Sequence, residues 1–254
     1  MLKFPPRRIL VAVERSSASL HAWEAAKEIA GRFGASLEAV WCPAPGERPD
    51  ALKALRARLG PGARVHALKG EPSFAVRRLA RDRRVDLVVM GTHHRPGLVR
   101  LVQGSTAEAV VHDAPCPVLV VPRAWRVPAW VLAPVTGAPY ARRGLLAAAV
   151  LARAYKARLA LLEVVEEGAK GPAAARRVSL QARKLPPAVA RDVKPEFEVR
   201  VGYAVKEILR AERGRDLVVL VAHRKSLLGN LVLGETVERV LRHSRVPVLA
   251  IPAR

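Results

Sequence analysis

The densest chemistry in this sequence follows the apolar run Asp86-Leu-Val-Val-Met90, where the chain reads Gly91-Thr-His-His-Arg-Pro-Gly-Leu-Val-Arg-Leu-Val-Gln-Gly-Ser-Thr106. Gly91 and Gly104 bracket the segment, and glycine lets a backbone come close to a ligand. Gly104-Ser105 opens an expected helix, whose first N–H groups lack partners within it and attract anions. The hydroxyls of Ser105 and Thr106, with the guanidiniums of Arg95 and Arg100, suit a phosphate. Ser105-Thr-Ala-Glu108 is equally a capping box, so the stretch reads either as a phosphate cradle or as a plain capped helix. Other chemistry does not assemble. His93 and His94 adjoin in a loop without the carboxylate or thiol partners of a metal site. Cys42 and Cys116 read as small hydrophobes beside strands, with no nucleophile–base string. Neither a P-loop nor the Gly-x-Gly-x-x-Gly dinucleotide motif occurs. No catalytic residue and no metal ligand is expected.

The elements that must position this loop can be read from pattern. Short apolar runs at 9–13, 37–41, 65–68, 86–90 and 118–121 read as strands. Between them, Ser16-Ser17 offers an N-cap to an Ala-rich helix that reaches Arg32 and stops at Gly34. Residues 50–59, 71–84 and 105–112 read as further helices, and Gly60-Pro-Gly62 as a turn. Strands alternating with helices imply right-handed crossovers and a parallel sheet covered on both faces. Such sheets bind ligands beyond the carboxyl ends of their strands, where the strand order switches. That rule points to Glu14, Cys42 and the segment after Met90.

The pattern then repeats. Asp86-Leu-Val-Val-Met-Gly91 returns as Asp216-Leu-Val-Val-Leu-Val221, and Gly104-Ser-Thr-Ala-Glu-Ala-Val-Val111 as Gly234-Glu-Thr-Val-Glu-Arg-Val-Leu241. Pro117-Val-Leu-Val-Val-Pro122 returns as Pro247-Val-Leu-Ala-Ile-Pro252, all three at one constant offset. Arg8-Ile-Leu-Val-Ala-Val13 likewise aligns with Trp130-Val-Leu-Ala-Pro-Val135. Two prolines bracket the connector Pro122-Arg-Ala-Trp-Arg-Val-Pro128, so two domains of one kind are expected, at 1–124 and 125–254.

The 254 residues carry 44 Lys+Arg against 22 Asp+Glu, a net charge of +22. Clustered basic residues would invite nucleic acid, but here they are spread over both halves. Aromatics make up 4% of the chain, which leaves few platforms for stacking bases, so nucleic acid is not the expected partner. Few thermolabile side chains and 20 prolines suit a heat-adapted chain. Two cysteines cannot form a disulfide framework. The first residues lack the pattern of a secretory signal, and charge or proline interrupts every apolar run. A cytoplasmic location and no membrane contact are expected.

These motifs together resemble the tandem form of the universal stress proteins. Single-domain members of that family carry Gly-x-x-Gly, nine residues, then Gly-Ser/Thr. Gly91, His94 and Gly104-Ser105 keep the spacing and lose the second glycine. Thr92-His93, Arg95, Gly97-Leu98 and the run Ala114-Pro-Cys-Pro-Val-Leu-Val-Val121 are similar to the family as well. The resemblance implies two repeated Rossmann-like α/β domains, each a five-stranded parallel sheet with helices on both faces, and a stress-response binding protein. It also implies an ATP site in the first domain. Carried over residue by residue, Ala12, Val13, Glu14 and Cys42 would meet adenosine, and Met90, Gly91, Thr92, His94, Gly104, Ser105 and Thr106 the phosphates. Glu14 stands in place of the usual Asp and keeps its charge. His94 stands in place of a glycine. If the backbone there is left-handed, a side chain costs about 1 kcal/mol, which weakens ATP binding about tenfold.

In the second domain Val221 and Arg224 occupy the two glycine positions, Glu235 replaces the Ser/Thr, and Thr136 takes the acidic position. A carboxylate at Glu235 competes with phosphate for the helix N-terminus, so this domain is expected to be structural, with no cofactor. By analogy with single-domain dimers, the strands at 118–121 and 248–251 would meet in an internal pseudo-dimer. Any ATP hydrolysis would be slow. The alternatives are a nucleotide-regulated switch with weak ATPase activity, or a nucleic-acid or polyanion binder. The protein partner and the stress are unknown from sequence.

Overall fold

A computed structural model describes residues 4–48, 50–92, 106–168, 171–183, 185–227 and 230–253. The loop residues His94, Gly104 and Ser105 lie outside them, as do Arg95 and Arg100. The chain forms two compact units, one spanning Pro6–Trp125 and the other including Arg126–Arg254.

In the first unit the strands β1 (Arg8–Val13), β2 (Ser36–Trp41), β3 (Arg64–Ala67), β4 (Leu87–Gly91) and β5 (Val118–Val121) alternate with helices α1 (Ser17–Phe33), α2 (Ala51–Leu59), α3 (Pro72–Asp82) and α4 (Thr106–Asp113). The strands are parallel, in the order β3-β2-β1-β4-β5. Successive residues of a strand face opposite sides of the sheet. Leu87, Val88, Val89 and Met90 are nonetheless all buried, so the sheet is covered on both faces. Each such side chain contributes roughly 1.5–3 kcal/mol relative to exposure.

Helix α1 forms where the sequence leads one to expect it. Ser16 caps it by accepting the Ser19 N–H at 3.2 Å, and Ala18, Ala22, Ala25, Ala26 and Ile29 form its buried stripe. It ends at Gly34, whose φ of 64° carries the cap N–H back to the Ala30 carbonyl. Small alanines let this helix lie close against β1 and β4.

The second unit runs β6 (Trp130–Pro134), α5 (Ala141–Tyr155), β7 (Arg158–Val165), α6 (Gly171–Ala182), α7 (Pro187–Asp192), β8 (Glu196–Val201), α8 (Ala204–Ala211), β9 (Leu217–Ala222), β10 (Arg224–Leu227), β11 (Asn230–Leu233), α9 (Glu235–His243) and β12 (Val248–Pro252). Its parallel sheet has the same order, β8-β7-β6-β9-β12. An identical clamp starts both sheets. The Asp86 carboxylate accepts the N–H groups of Arg7 and Arg8 at 3.1 and 3.0 Å, and Asp216 those of Ala129 and Trp130 at 3.0 and 2.9 Å. These two aspartates head the repeated Asp-Leu-Val-Val string, so that string is a structural signature as well as a sequence one.

One feature was not legible in the pattern. The stretch expected to be a loop after β9 instead contains an antiparallel hairpin, β10 with β11, pairing Arg224 with Leu233.

Candidate functional site

Strand order in the first unit reverses between β1 and β4, and the expected residues gather at the carboxyl ends of these strands. The register sets Ala12 opposite Met90 on one side and Val40 on the other, with Val13 opposite Trp41. Neighbouring strands lie about 4.8 Å apart, so Ala12, Val13, Met90, Gly91 and the Trp41-Cys42 step occupy one small region. Val13 and Met90 are buried, Cys42 is half-buried, and Glu14 and Thr106 are exposed. Thr92 continues the β4–β5 pairing, donating its N–H to Val121 at 3.2 Å.

Glu14 is held by two serines that the capping pattern alone did not single out as site residues. Its N–H donates to the buried Ser19 hydroxyl at 2.8 Å, and the Ser16 hydroxyl donates to its carboxylate at 2.7 Å. The charged group is therefore turned over the first turn of α1, at the edge of the strand ends. Burial pushes the Cys42 thiol up, and the Glu71 charge adds to this. Cys116 is pushed up to about 12, by burial first and by Asp86 second. Neither is a ready nucleophile.

Gly91 has a second reason to be glycine. A Cβ at this position would meet the Ala18 carbonyl oxygen at 2.3 Å, so the end of β4 touches bare backbone of α1. Gly91, expected from its place in the sequence to admit a ligand, is required independently by the packing of α1.

At the matching switch between β6 and β9, the second unit is differently furnished. Val221 replaces the glycine, and its methyl lies where a Cβ on Gly144 of α5 would come within 2.7 Å. The rings of Tyr140 and His223 stack with centroids 4.6 Å apart. The Gln181 amide donates to the Thr136 carbonyl at 3.4 Å, and Arg177 pairs with the buried Glu163 at 2.7 Å. At the start of α9, the Glu235 carboxylate accepts the Tyr203 hydroxyl at 2.8 Å and pairs with Arg239 at 2.9 Å. That hydrogen bond pushes the Tyr203 phenol up, because ionisation would set two anions side by side.

Among the described residues, no helix is long and apolar enough to cross a membrane. The universal stress protein family model matches the chain twice, at residues 41–122 and 130–252. A universal stress protein of Methanocaldococcus jannaschii is 33% identical over 138 residues, covering 45% of this chain and 81% of that protein. One of Thermus aquaticus is 33% identical over 136 residues, covering 45% of this chain and 98% of the relative. In fold, the chain is similar to a crystal structure of a universal stress protein from Archaeoglobus fulgidus, with a TM-score of 0.76 at 18% identity, over 99% of this chain and 100% of that one. A functionally unknown protein of Pseudomonas aeruginosa gives 0.71 at 22% identity, over 98% and 93%. With both halves matched by the family model and two curated relatives covered over most of their length, the chain belongs to the universal stress protein family.

Proposed function

We propose that this protein is a stress-response binding protein whose first domain, 1–124, takes an adenine nucleotide such as ATP, while the second, 125–254, is structural. The observation that carries this reading is the meeting of Ala12, Val13, Cys42, Met90 and Gly91 at the switch between β1 and β4, the position at which open parallel sheets bind ligands. The Ser16 and Ser19 hydroxyls that hold Glu14 support the adenosine end of this reading, and Met90 and Gly91 belong to its phosphate end. The phosphate arm of the proposal rests on His94, Gly104, Ser105 and Thr106. In the second domain, the Tyr140–His223 stack and the Glu235–Arg239 pair stand at the corresponding places, which supports a domain without a cofactor.

Thermal-shift titration with ATP, ADP and AMP tests the reading. ATP should stabilise the protein, and His94→Gly, which restores the glycine the family carries at this position, should tighten binding about tenfold. Saturating ATP should also slow alkylation of Cys42 and leave Cys116 unchanged. If neither wild type nor His94→Gly responds to any of the three nucleotides, the proposal is wrong. Retention on DNA or RNA that survives moderate salt would instead favour the polyanion reading.

A further inference from the structure

The two sheets end differently on their outer sides. In the first unit the end strand is β3, four residues long, with Arg64 exposed and His66 paired to Glu38 at 2.8 Å. Short, charged edges of this kind resist pairing with other chains. In the second unit the end strand is β8, Glu196-Phe-Glu-Val-Arg-Val201, longer and carrying Phe197 and Val201 with 48% and 53% of their surface exposed.

The hydrogen-bond phase of β8 is fixed by its inner neighbour. Gly202 donates to the Val165 carbonyl at 2.9 Å, and Val165 is in register with Val201. In a parallel pair, alternate residues turn both backbone groups to the same neighbour. Residues 198, 200 and 202 therefore face β7, whereas Phe197, Val199 and Val201 turn their N–H and C=O groups to the outer side, where no strand among the described residues pairs with them. On that side only odd-numbered residues can form the hydrogen-bonded pairs of an antiparallel ladder.

We propose that β8 pairs antiparallel with β8 of a second copy of this chain about a two-fold axis at Val199, making a homodimer. The charge pattern selects this register. With Val199 opposite Val199, Phe197 faces Val201 and Glu198 faces Arg200, twice over by symmetry. Moving the axis to Arg200 sets Arg200 against itself; moving it to Glu198 sets Glu198 against itself and Arg200 against Glu196, which Arg158 already neutralises within the chain, so like-charge repulsion at the axis disfavours both. The 198–200 positions are non-hydrogen-bonded pairs, where the backbones are closest and side chains interact most. A closed two-fold contact also accounts for exposed Phe197 and Val201 on an edge that is otherwise an aggregation hazard.

Sedimentation velocity across micromolar concentrations tests this. The wild type should dimerise. Val199→Pro removes only an N–H that points away from β7, a position where sheets tolerate proline, and should weaken the dimer at least tenfold with an unchanged far-UV spectrum. Glu198→Arg and Arg200→Glu should each weaken self-association about tenfold, since each places like charges across the axis, in addition to removing the pairs these residues make within the chain with Arg215 and Glu207. Mixed together, one variant offers two arginines and the other two glutamates, so the mixture should recover wild-type association. That recovery also shows both variants folded and reports the register. A wild type that stays monomeric, a dimer untouched by Val199→Pro, or a mixture that fails to associate overturns the proposal. None of these readouts involves nucleotide, so the result is independent of the first domain's site.

Discussion

In the first unit Gly91 ends β4 against the Ala18 carbonyl; in the second, Val221, the next-to-last residue of β9, lies against Gly144 of α5. Both pairings let the helix after the first strand lie close to the strand beside it, but the small residue has moved from sheet to helix. The side of Gly91 left bare is taken up by the Ala18 backbone, and the Val221 side chain fills the corresponding space against Gly144, so packing closes both junctions by different means. Around Val221 the second unit then gathers Tyr140, His223 and Gln181, while around Gly91 the first gathers Glu14, Ser16 and Ser19. Below the mouth the two units agree: the same strand order, and Asp86 and Asp216 making the same clamp. Shared frame and divergent mouth are separable properties of one fold.

The largest expected effect breaks this comparison on the first side. Gly91→Ala sets a methyl against a backbone oxygen that no neighbouring side-chain change can move, and should cost about 3 kcal/mol by chemical denaturation. Adding Ala22→Gly should not rescue it. On the second side the conflict is with a side chain. Gly144→Ala should cost about 1 kcal/mol, the overpacking against Val221 being partly offset by the better helix propensity of alanine. Val221→Ala in the same chain should remove that clash, giving a coupling of about 1 kcal/mol in a double-mutant cycle. A rescued Gly91→Ala, or an additive second pair, would dissolve the distinction drawn between the units.

A smaller effect sharpens the frame itself. Glu71 caps α3, accepting the N–H groups of Ser73 and Phe74 at 2.9 and 2.8 Å. Burial would push its carboxyl up, but the Ser73 hydroxyl, these backbone donors and the Arg77 charge outweigh burial and hold it below its ordinary value. A carboxylate depressed in the folded state contributes stability above its unfolded pKa and loses it as pH falls through the folded one. Glu71→Gln should therefore flatten the acid limb of a stability–pH profile, with a loss of about 1 kcal/mol at neutral pH and none at low pH.

Much of this molecule was readable from local pattern. The strand–helix alternation, the cap at Ser16, the stop at Gly34 and the repeated Asp-Leu-Val-Val string depend on residues close together in the chain, and their signals survive in one dimension. Element ends moved by a residue or two, as fraying ends do. The candidate site was legible only as a set of neighbouring strand ends, because the switch-point rule needs only topology. The hairpin after β9 was not, since repeat logic assigned that stretch the loop of the first unit. Ser19 as partner of Glu14, and the double duty of Gly91, were also hidden, because each concerns a contact across elements.

The sequence by itself determined that there are two units of one parallel α/β kind, and which residues stand at the strand ends. Tertiary structure alone decided that Gly91 touches Ala18, that Val221 answers Gly144, and which backbone groups of β8 turn outward. Periodicity records which face of an element is buried. The distance between two buried faces, and the phase of an edge, exist only once the elements have docked.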